Sequence, residues 1–471
     1  MTEDRSGWMT SKSERTSYGL YFMGQNAIYT FQFLFLATFL LMSGLDALAT
    51  AGIMMAVKVW DAINDCLFGG IIDYVRFKKG SKFLPWLRLS LPLIALSFIL
   101  LFGIPQALGI NAKLVWFAVA YILFDIAYTV CDVPIFGMVT TMTENQAERT
   151  SLMATGRIYA NFGVIIAMIV GFTLTTEAVG LSFTTSALII TAIAVLSMVW
   201  ICFKGKEHVV KPKESAKSYG LKQMFTYLAR NKYLLIYFVG LLLFSGLNTA
   251  TVVVQFASFY LFNSAMIATL LGAIAFAPVV VVALVVPKVL RKVDKFKLFL
   301  INTVAFTVLS IIIWLVGPYI VPHVILMTIR GFAFGFISVL QFMFTPDCAE
   351  YGQYKTGTDA KGITFAVQTF TMKLVSAISA SLAVGVLGLF GWVSINAASF
   401  AELAEMNVQQ PQEALSALWA VYALIPAIGA VLAIVFWSRY RLKTGDVELM
   451  ARYNNSEVTR EECDAGLSQV Y

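Results

Sequence analysis

The chain has 471 residues, of which 59% are hydrophobic and only 13% charged, a balance outside that of ordinary soluble globular proteins. The formal net charge of +7 does not mark a nucleic-acid binder, because the basic residues fall in short segments between long apolar runs, where they set membrane topology. Five scattered cysteines and two distant histidines, His208 and His323, give neither a disulfide framework nor a metal-ligand spacing.

Met1–Ser17 is polar and of mixed charge, and is expected to be a mobile cytoplasmic tail without a cleavable signal. Apolar runs long enough to cross a bilayer follow at 18–43, 48–72, 83–105, 113–139, 152–177, 182–203, 233–262, 265–290, 297–317, 320–346, 362–391 and 415–438. They predict an all-α polytopic membrane protein with about twelve transmembrane helices.

Alternate loops carry Arg76, Lys78, Lys79 and Lys82, then Arg149, then Lys204 to Lys222, then Lys288 to Lys297, then Lys355 and Lys361. The opposite loops hold Asp46, Glu177, Glu402, Glu405 and Glu413, with Lys113 as the basic exception. This asymmetry places both termini in the cytoplasm. The long basic connection at 204–232 divides an N-terminal six-helix bundle, 18–203, from a C-terminal one, 233–438, with a cytoplasmic tail at 439–471. Basic loops after the second run of each half form a weak internal repeat. Paired six-helix bundles are the major facilitator architecture.

The second run places Lys58, Asp61, Asn64 and Asp65 at membrane depth, where a charge is costly unless paired or ligated. Asp61 and Asp65 are four residues apart and share a helix face. Two stacked carboxylates and an amide oxygen can hold a small hard cation. Burial and mutual repulsion equally let them bind and release a proton. A structural ion pair with Lys58 is the alternative, although one lysine cannot neutralise both aspartates.

The fourth run carries Asp125, Tyr128, Thr129, Asp132, Pro134 and Phe136. Thr129 and Asp132 are helix neighbours, and Asp125 lies two turns before Asp132. Arg157, early in the fifth run, either reaches inward or snorkels to the surface. Lys373 lies about three turns into the eleventh run with Gln368 and Thr369 beside it, too deep to snorkel. Arg330 lies at mid-depth in the tenth run, as a structural partner or a ligand contact. Gln25 and Asn26 in the first run, and Asn248 and Gln255 in the seventh, add amides. Mixed charges and amides suit a polyhydroxylated solute, whose adjacent hydroxyls bond carboxylates and cationic side chains. Tyr128 or Phe136 can cover the apolar face of a sugar ring.

Several motifs resemble the glycoside–pentoside–hexuronide:cation symporter family. Lys58-Val-Trp-Asp-Ala-Ile-Asn-Asp65, with Gly69, Asp73 and the loop ending Lys82-Phe-Leu-Pro-Trp86, is similar to its second span and loop. Asp132-Val-Pro, Glu148-Arg149 and Arg157 resemble its fourth span, loop and fifth span. Asp347-Cys-Ala-Glu350 through Lys355, continuing to Gln368-Thr-Phe-Thr-Met-Lys373, resembles the segment joining spans ten and eleven. The resemblance covers nearly the whole membrane region.

It implies that Asp61 and Asp65 are the main ligands of a monovalent metal cation or proton, with Asn64, Thr129 and Asp132 beside them. Asp132 and Arg157 would contact sugar hydroxyls, with Asn26, Tyr128 and Phe136 completing the substrate site. Lys58 would balance charge, and Lys373 would link the cation and sugar regions. Asn26 replaces a span-one aspartate of the family's best-known member, and Phe136 replaces a stacking tryptophan, so galactoside specificity is not expected. A uronide and a neutral glycoside both remain open.

The expected function is cation-coupled symport of a sugar or glycoside by alternating access, driven by Na+, Li+ or H+, in a bacterial inner membrane. The expected partners are the sugar, the coupling cation and the bilayer, without nucleic acid, and the protein is expected to work as a monomer. No catalytic residue, prosthetic group or nucleotide loop is expected. Loop charges at Asp73, Arg76, Glu148, Arg149 and 347–361 are expected to pair across the two bundles. The alternatives are a proton-coupled exporter or antiporter of non-sugar solutes, and a non-transporting membrane sensor.

Overall fold

The structure, a computed structural model, describes residues 8–75, 77, 81–209, 221–357 and 361–471. Within helices, the side chains of residues 62, 63, 65–67, 69, 70, 72–74, 221–225 and 361 are not described.

The first half forms α1 (Lys12–Leu41), α2 (Ala47–Tyr74), α3 (Leu84–Phe102), α4 (Ile110–Met142), α5 (Gln146–Leu174) and α6 (Phe183–Lys204). The second half contains α7 (Leu221–Arg230), α8 (Lys232–Gly246), α9 (Ala250–Phe262), α10 (Ile267–Val289), α11 (Lys295–Val316), α12 (Ile320–Leu340), α13 (Phe344–Thr356) and α14 (Lys361–Leu389). α15 (Phe400–Met406), α16 (Gln412–Trp419), α17 (Ile425–Trp437), α18 (Thr444–Asn454) and α19 (Arg460–Gly466) complete it.

Local chemistry sets many helix starts. Ser11 and Glu14 form a reciprocal capping box on α1, and Asp46, Asn145, Ser182 and Asp294 cap α2, α5, α6 and α11 with side-chain oxygens.

Ten helical runs among the described residues are long and apolar enough to cross a membrane, so the chain is a multi-pass membrane protein. α1 and α2 are also long enough, at 30 and 28 residues, but carry the amides and charges noted above.

Three expected spans are composite. The run at 233–262 breaks between α8 and α9. A 3₁₀ turn, Gln341–Met343, separates α12 from α13, and a π-helical turn, Ala420–Leu424, separates α16 from α17. The polar termini are also more ordered than their composition suggests. Residues 12–17 begin α1, with Glu14 and Ser17 buried, and the segment after Tyr440 folds into α18 and α19.

The chain divides into two compact units. Unit 1 comprises Met1–Ser218 with Ser264–Thr269 and Gly388–Pro411. In it α1 packs on α5 and α6, α3 packs on α4 and α6, and α2 packs on α4. Gly24 and Gly163 make these approaches possible: a Cβ on Gly24 would run into Ser197 and Ala194 of α6, and one on Gly163 into the backbone of Met23. Phe31, Phe35, Phe98 and Phe102 fill the interior with tilted and edge-on ring contacts.

The segment 388–411, from the second half of the sequence, is pinned within unit 1 by backbone bonds. Gly44 donates to Ile395, Ala397 to Met42, Phe183 to Ala398 and Phe400 to Thr175. The Lys113 ammonium donates to the Ser43 carbonyl at 2.9 Å, Gln106 Oε1 at 2.8 Å and Asn396 Oδ1 at 3.4 Å. The exceptional basic residue of these loops is therefore a buried tie.

Unit 2 comprises Tyr219–Asn263, Leu270–Leu387 and Gln412–Tyr471. α8 and α11 pack on α17, α11 packs on α12, and α13 packs on α18. Its core gathers Tyr237, Phe244, Phe299, Phe306, Trp437 and Tyr440.

Two of the loop carboxylates have partners within their own units. Glu148 accepts from the Met9 and Thr10 amides and the Thr10 and Thr143 hydroxyls. Asp347 pairs with Lys295 at 2.5 Å. The Asp73 side chain and Arg76 lie outside the described residues.

Candidate functional site

The polar residues of the second and fourth helices meet inside unit 1. The buried α2 positions Val57, Asp61 and Asn64 recur at helical spacing, and α2 packs on α4. Lys58 Nζ lies 3.0 Å from Asp125 Oδ1 and 3.7 Å from Asp61 Oδ2, and 5.1 Å from the centre of the Tyr121 ring. Both carboxylates belong to residues that are 4% exposed. One ammonium thus serves two carboxylates from two helices, and Asp125, whose role the sequence left open, is its nearer partner.

Beside this cluster, Asn64 Nδ2 donates to Thr129 Oγ1 at 2.9 Å. The Thr129 hydroxyl donates to the Asp125 carbonyl at 3.0 Å. Asp65 follows Asp61 by one turn on the α2 backbone, and its side chain lies outside the described residues.

The second polar group joins α1 to α4. Gln25 Nε2 donates to Asp132 Oδ1 and lies 3.5 Å from the Tyr128 hydroxyl. Gln25 is buried, and its Oε1 has no hydrogen-bond partner among the described residues. Asn26, the amide that sequence reasoning placed in the substrate site, donates to the Phe22 carbonyl of its own helix at 2.9 Å. The structure therefore brings Gln25 to Asp132.

A spacing signal for Gln25 exists in the sequence. Tyr21, Gln25, Tyr29 and Gln32 recur every three or four residues and form one polar stripe on α1. Tyr21 donates to the Cys131 carbonyl at 3.2 Å, Tyr29 lies 5.3 Å from the Tyr128 ring, and Gln32 donates to the Tyr121 hydroxyl at 3.4 Å. The whole stripe meets α4.

The other expected substrate residues lie on α4, α5 and α14. Tyr128 is half-buried, with its ring 6.0 Å from Phe124. Phe136 is exposed and meets Phe22 edge-on at 5.2 Å. Arg157 is exposed on α5. Lys373 belongs to α14 in unit 2 and is half-buried.

Arg330 lies in the interior of unit 2, 6% exposed. It donates to Ser310 Oγ at 3.2 Å and lies over Phe306 at 5.0 Å. His323, two turns earlier, bonds the Tyr422 hydroxyl of the π-turn at 3.0 Å. Among the described residues, Arg330 has no carboxylate within ion-pair distance.

The sequence profile of the family described as MFS/sugar transport protein matches residues 17–444. The chain belongs to this family. It is therefore a sugar transporter of the major facilitator type and not an enzyme.

An isoprimeverose transporter of Lactiplantibacillus pentosus is 26% identical over 400 residues, covering 83% of this chain and 82% of that protein. A glucuronide carrier protein homolog of Escherichia coli (strain K12) is 25% identical over 391 residues, covering 80% and 83%. Among solved structures, the nucleoside transporter NupG superposes with a TM-score of 0.64 at 13% identity, covering 92% of this chain and 100% of that one. That likeness is one of fold.

Proposed function

We propose that this transporter is a symporter of the glycoside–pentoside–hexuronide:cation family, moving a sugar or glycoside together with Na+, Li+ or H+ by alternating access. It works as a monomer in a bacterial inner membrane, with both termini cytoplasmic and the halves organised as 18–203 and 233–438.

The observation that carries this reading is the pair of polar groups on one helix. α4 presents Asp125 to the Lys58–Asp61 cluster and Asp132 to Gln25. Buried ionisable residues at membrane depth are functional sites by default. The first group, with Asp65, supplies cation chemistry. The second supplies a carboxylate and an amide suited to adjacent hydroxyls. The relatives named for isoprimeverose and glucuronide support a sugar or uronide cargo. Cation binding then favours sugar binding by a reciprocal free energy of about 1–3 kcal/mol.

The test is uptake of labelled glycosides, pentosides and uronides into proteoliposomes, under a sodium gradient, a pH gradient and no gradient. One sugar class should accumulate under an ion gradient, and Asp132→Ala should weaken its binding. If no sugar moves under any gradient while the protein stays folded, the reading is refuted.

A further inference from the structure

Two short segments from the second half of the sequence, 264–269 and 388–411, belong to unit 1. The chain on either side of each, at 263 and 270 and at 387 and 412, belongs to unit 2. In two places the boundary runs through an unbroken helix: α10, Ile267–Val289, crosses it after 269, and α14, Lys361–Leu389, crosses it after 387. Each segment is therefore the extension of a unit 2 helix, and noncovalent contacts fasten it within unit 1.

Glu177, just after α5, accepts from the Ser264 hydroxyl and from the Ala265 amide at 3.1 Å. The Thr269 hydroxyl donates to the Phe172 carbonyl at 2.8 Å. The longer segment is held by the four backbone bonds to Met42, Gly44, Thr175 and Phe183, with Ile395, Phe400 and Leu403 buried. Its pairing with 42–44 is an isolated bridge and not a ladder.

Away from these contacts the longer segment holds itself together. The Gln410 side chain accepts from the Val393 amide at 2.8 Å and donates to the Val393 carbonyl at 3.1 Å, which closes the base of the loop. Within it Ser399 caps α15, and the Glu402 carboxylate accepts from the Ala398 amide at 2.7 Å. None of these bonds needs the rest of unit 1, so the loop can leave it as one body.

We infer, on the footing of the alternating access and topology proposed above, that 264–269 and 388–411 together form an outer lid. They travel with α10 and α14, and the contacts that open when sugar enters from outside are those to unit 1. Keeping both segments on unit 1 while the units rock would instead require α10 and α14 to open their own hydrogen-bond ladders at the boundary. Glu177 is the catch of the shorter segment, and the Ser43–Asn396 bridge is that of the longer.

The bridge suits a reversible lock. Its flanking bonds join Gly44 to Ile395 and Ala397 to Met42, so Ser43 and Asn396 are a non-hydrogen-bonded antiparallel pair, whose Cα atoms stand about 4.5 Å apart, within disulfide range. The experiment combines Ser43→Cys with Asn396→Cys in the full chain, with each single variant as the control for the native cysteines. In proteoliposomes the oxidised double variant should lose sugar uptake and regain it on reduction, while oxidant leaves the single variants unchanged. Equal uptake by the locked and reduced forms overturns the lid, and so does a folded double variant in which no disulfide forms.

A second readout needs no cargo. Hydrogen exchange of peptides covering 264–269 should slow when the lock at 43 and 396 is closed, because both segments open together; unchanged exchange there overturns the single lid. Should the double variant not fold, Glu177→Gln should speed exchange at 264–269 and at 393–399 alike, and acceleration confined to 264–269 overturns the inference. If neither wild type nor the reduced variant moves any sugar under any gradient, the symport reading fails, and the lid stands or falls on the exchange result.

Discussion

Replacing Lys113 with methionine should loosen one junction of unit 1 and leave the helical core intact. Lys113 is 4% exposed, and its ammonium holds Ser43, Gln106 and Asn396. Ser43 and Asn396 form an antiparallel bridge, flanked by the Gly44–Ile395 and Ala397–Met42 backbone bonds at 2.6 and 2.9 Å. Methionine keeps the unbranched stem and removes every donor. Each hydrogen bond to a charged group is worth about 1.5–3 kcal/mol, but the 3.4 Å contact is weak and the variant no longer has to bury an ammonium. A net loss of about 2 kcal/mol for the junction follows, or roughly a 30-fold larger opening equilibrium. Hydrogen exchange read on peptides covering 40–46 and 393–399 should speed up by roughly that factor, while peptides in the middle of α3 stay protected. Unchanged protection of both junction peptides would show that Lys113 does not hold the segment, and the reasoning would fail.

Two further predictions concern unit 2. Asp446, on α18, accepts from the Ser468 amide and hydroxyl and the Tyr471 hydroxyl. Burial pushes its carboxyl up, but these hydrogen bonds together outweigh burial and hold it below its ordinary range. A depressed carboxyl contributes stability that is present above its unfolded value, about 3.9, and is lost as pH falls through the folded one. The exchange rate of the 444–471 peptides in Asp446→Asn, relative to wild type, should therefore exceed one at neutral pH and approach one in strong acid; a ratio flat with pH would refute this. Arg330→Met should melt no lower than wild type, because a buried guanidinium with one hydrogen bond among the described residues gains little against its desolvation. A clear fall in its midpoint would mean that Arg330 is better compensated than its Ser310 and Phe306 contacts indicate.

The helices were legible because long apolar runs and alternating loop charge are properties of the chain itself. The breaks were not, because tertiary bonds define them. The Asn248 carbonyl takes Ser379, and the Thr249 hydroxyl donates to Val421, so the gap between α8 and α9 is satisfied by residues more than a hundred positions away. The segment after Tyr440 was read as a tail for its polarity, yet Tyr471 packs edge-on against Tyr233 at 5.8 Å and orders it. Within the site, the α2 and α4 clusters followed from helical spacing. The partner of Lys58 depends on the register of α2 against α4, which no single-helix pattern carries. That Gln25 and not its neighbour Asn26 bonds Asp132 is a rotation of one residue on α1, visible only when the full stripe from Tyr21 to Gln32 is counted.

That stripe and the α2 cluster end on the same helix, and this bears on the proposed coupling. Asp125 and Asp132 are seven residues apart on α4, about 10.5 Å along its axis. Thr129 stands between them and already binds Asn64 on one side and the Asp125 carbonyl on the other. Pro134, inside the helix, lacks an N–H and so cannot bond the carbonyl four residues earlier, which softens the backbone next to Asp132. A change in charge at Lys58, Asp61 and Asp125 therefore acts on one part of a helix that also positions the Gln25–Asp132 pair. A ligand shifts a conformational equilibrium only by its differential affinity for the two states. Two ligands that bias one shared element satisfy that condition without a longer pathway between their sites. In this chain α4 is the element that both groups share.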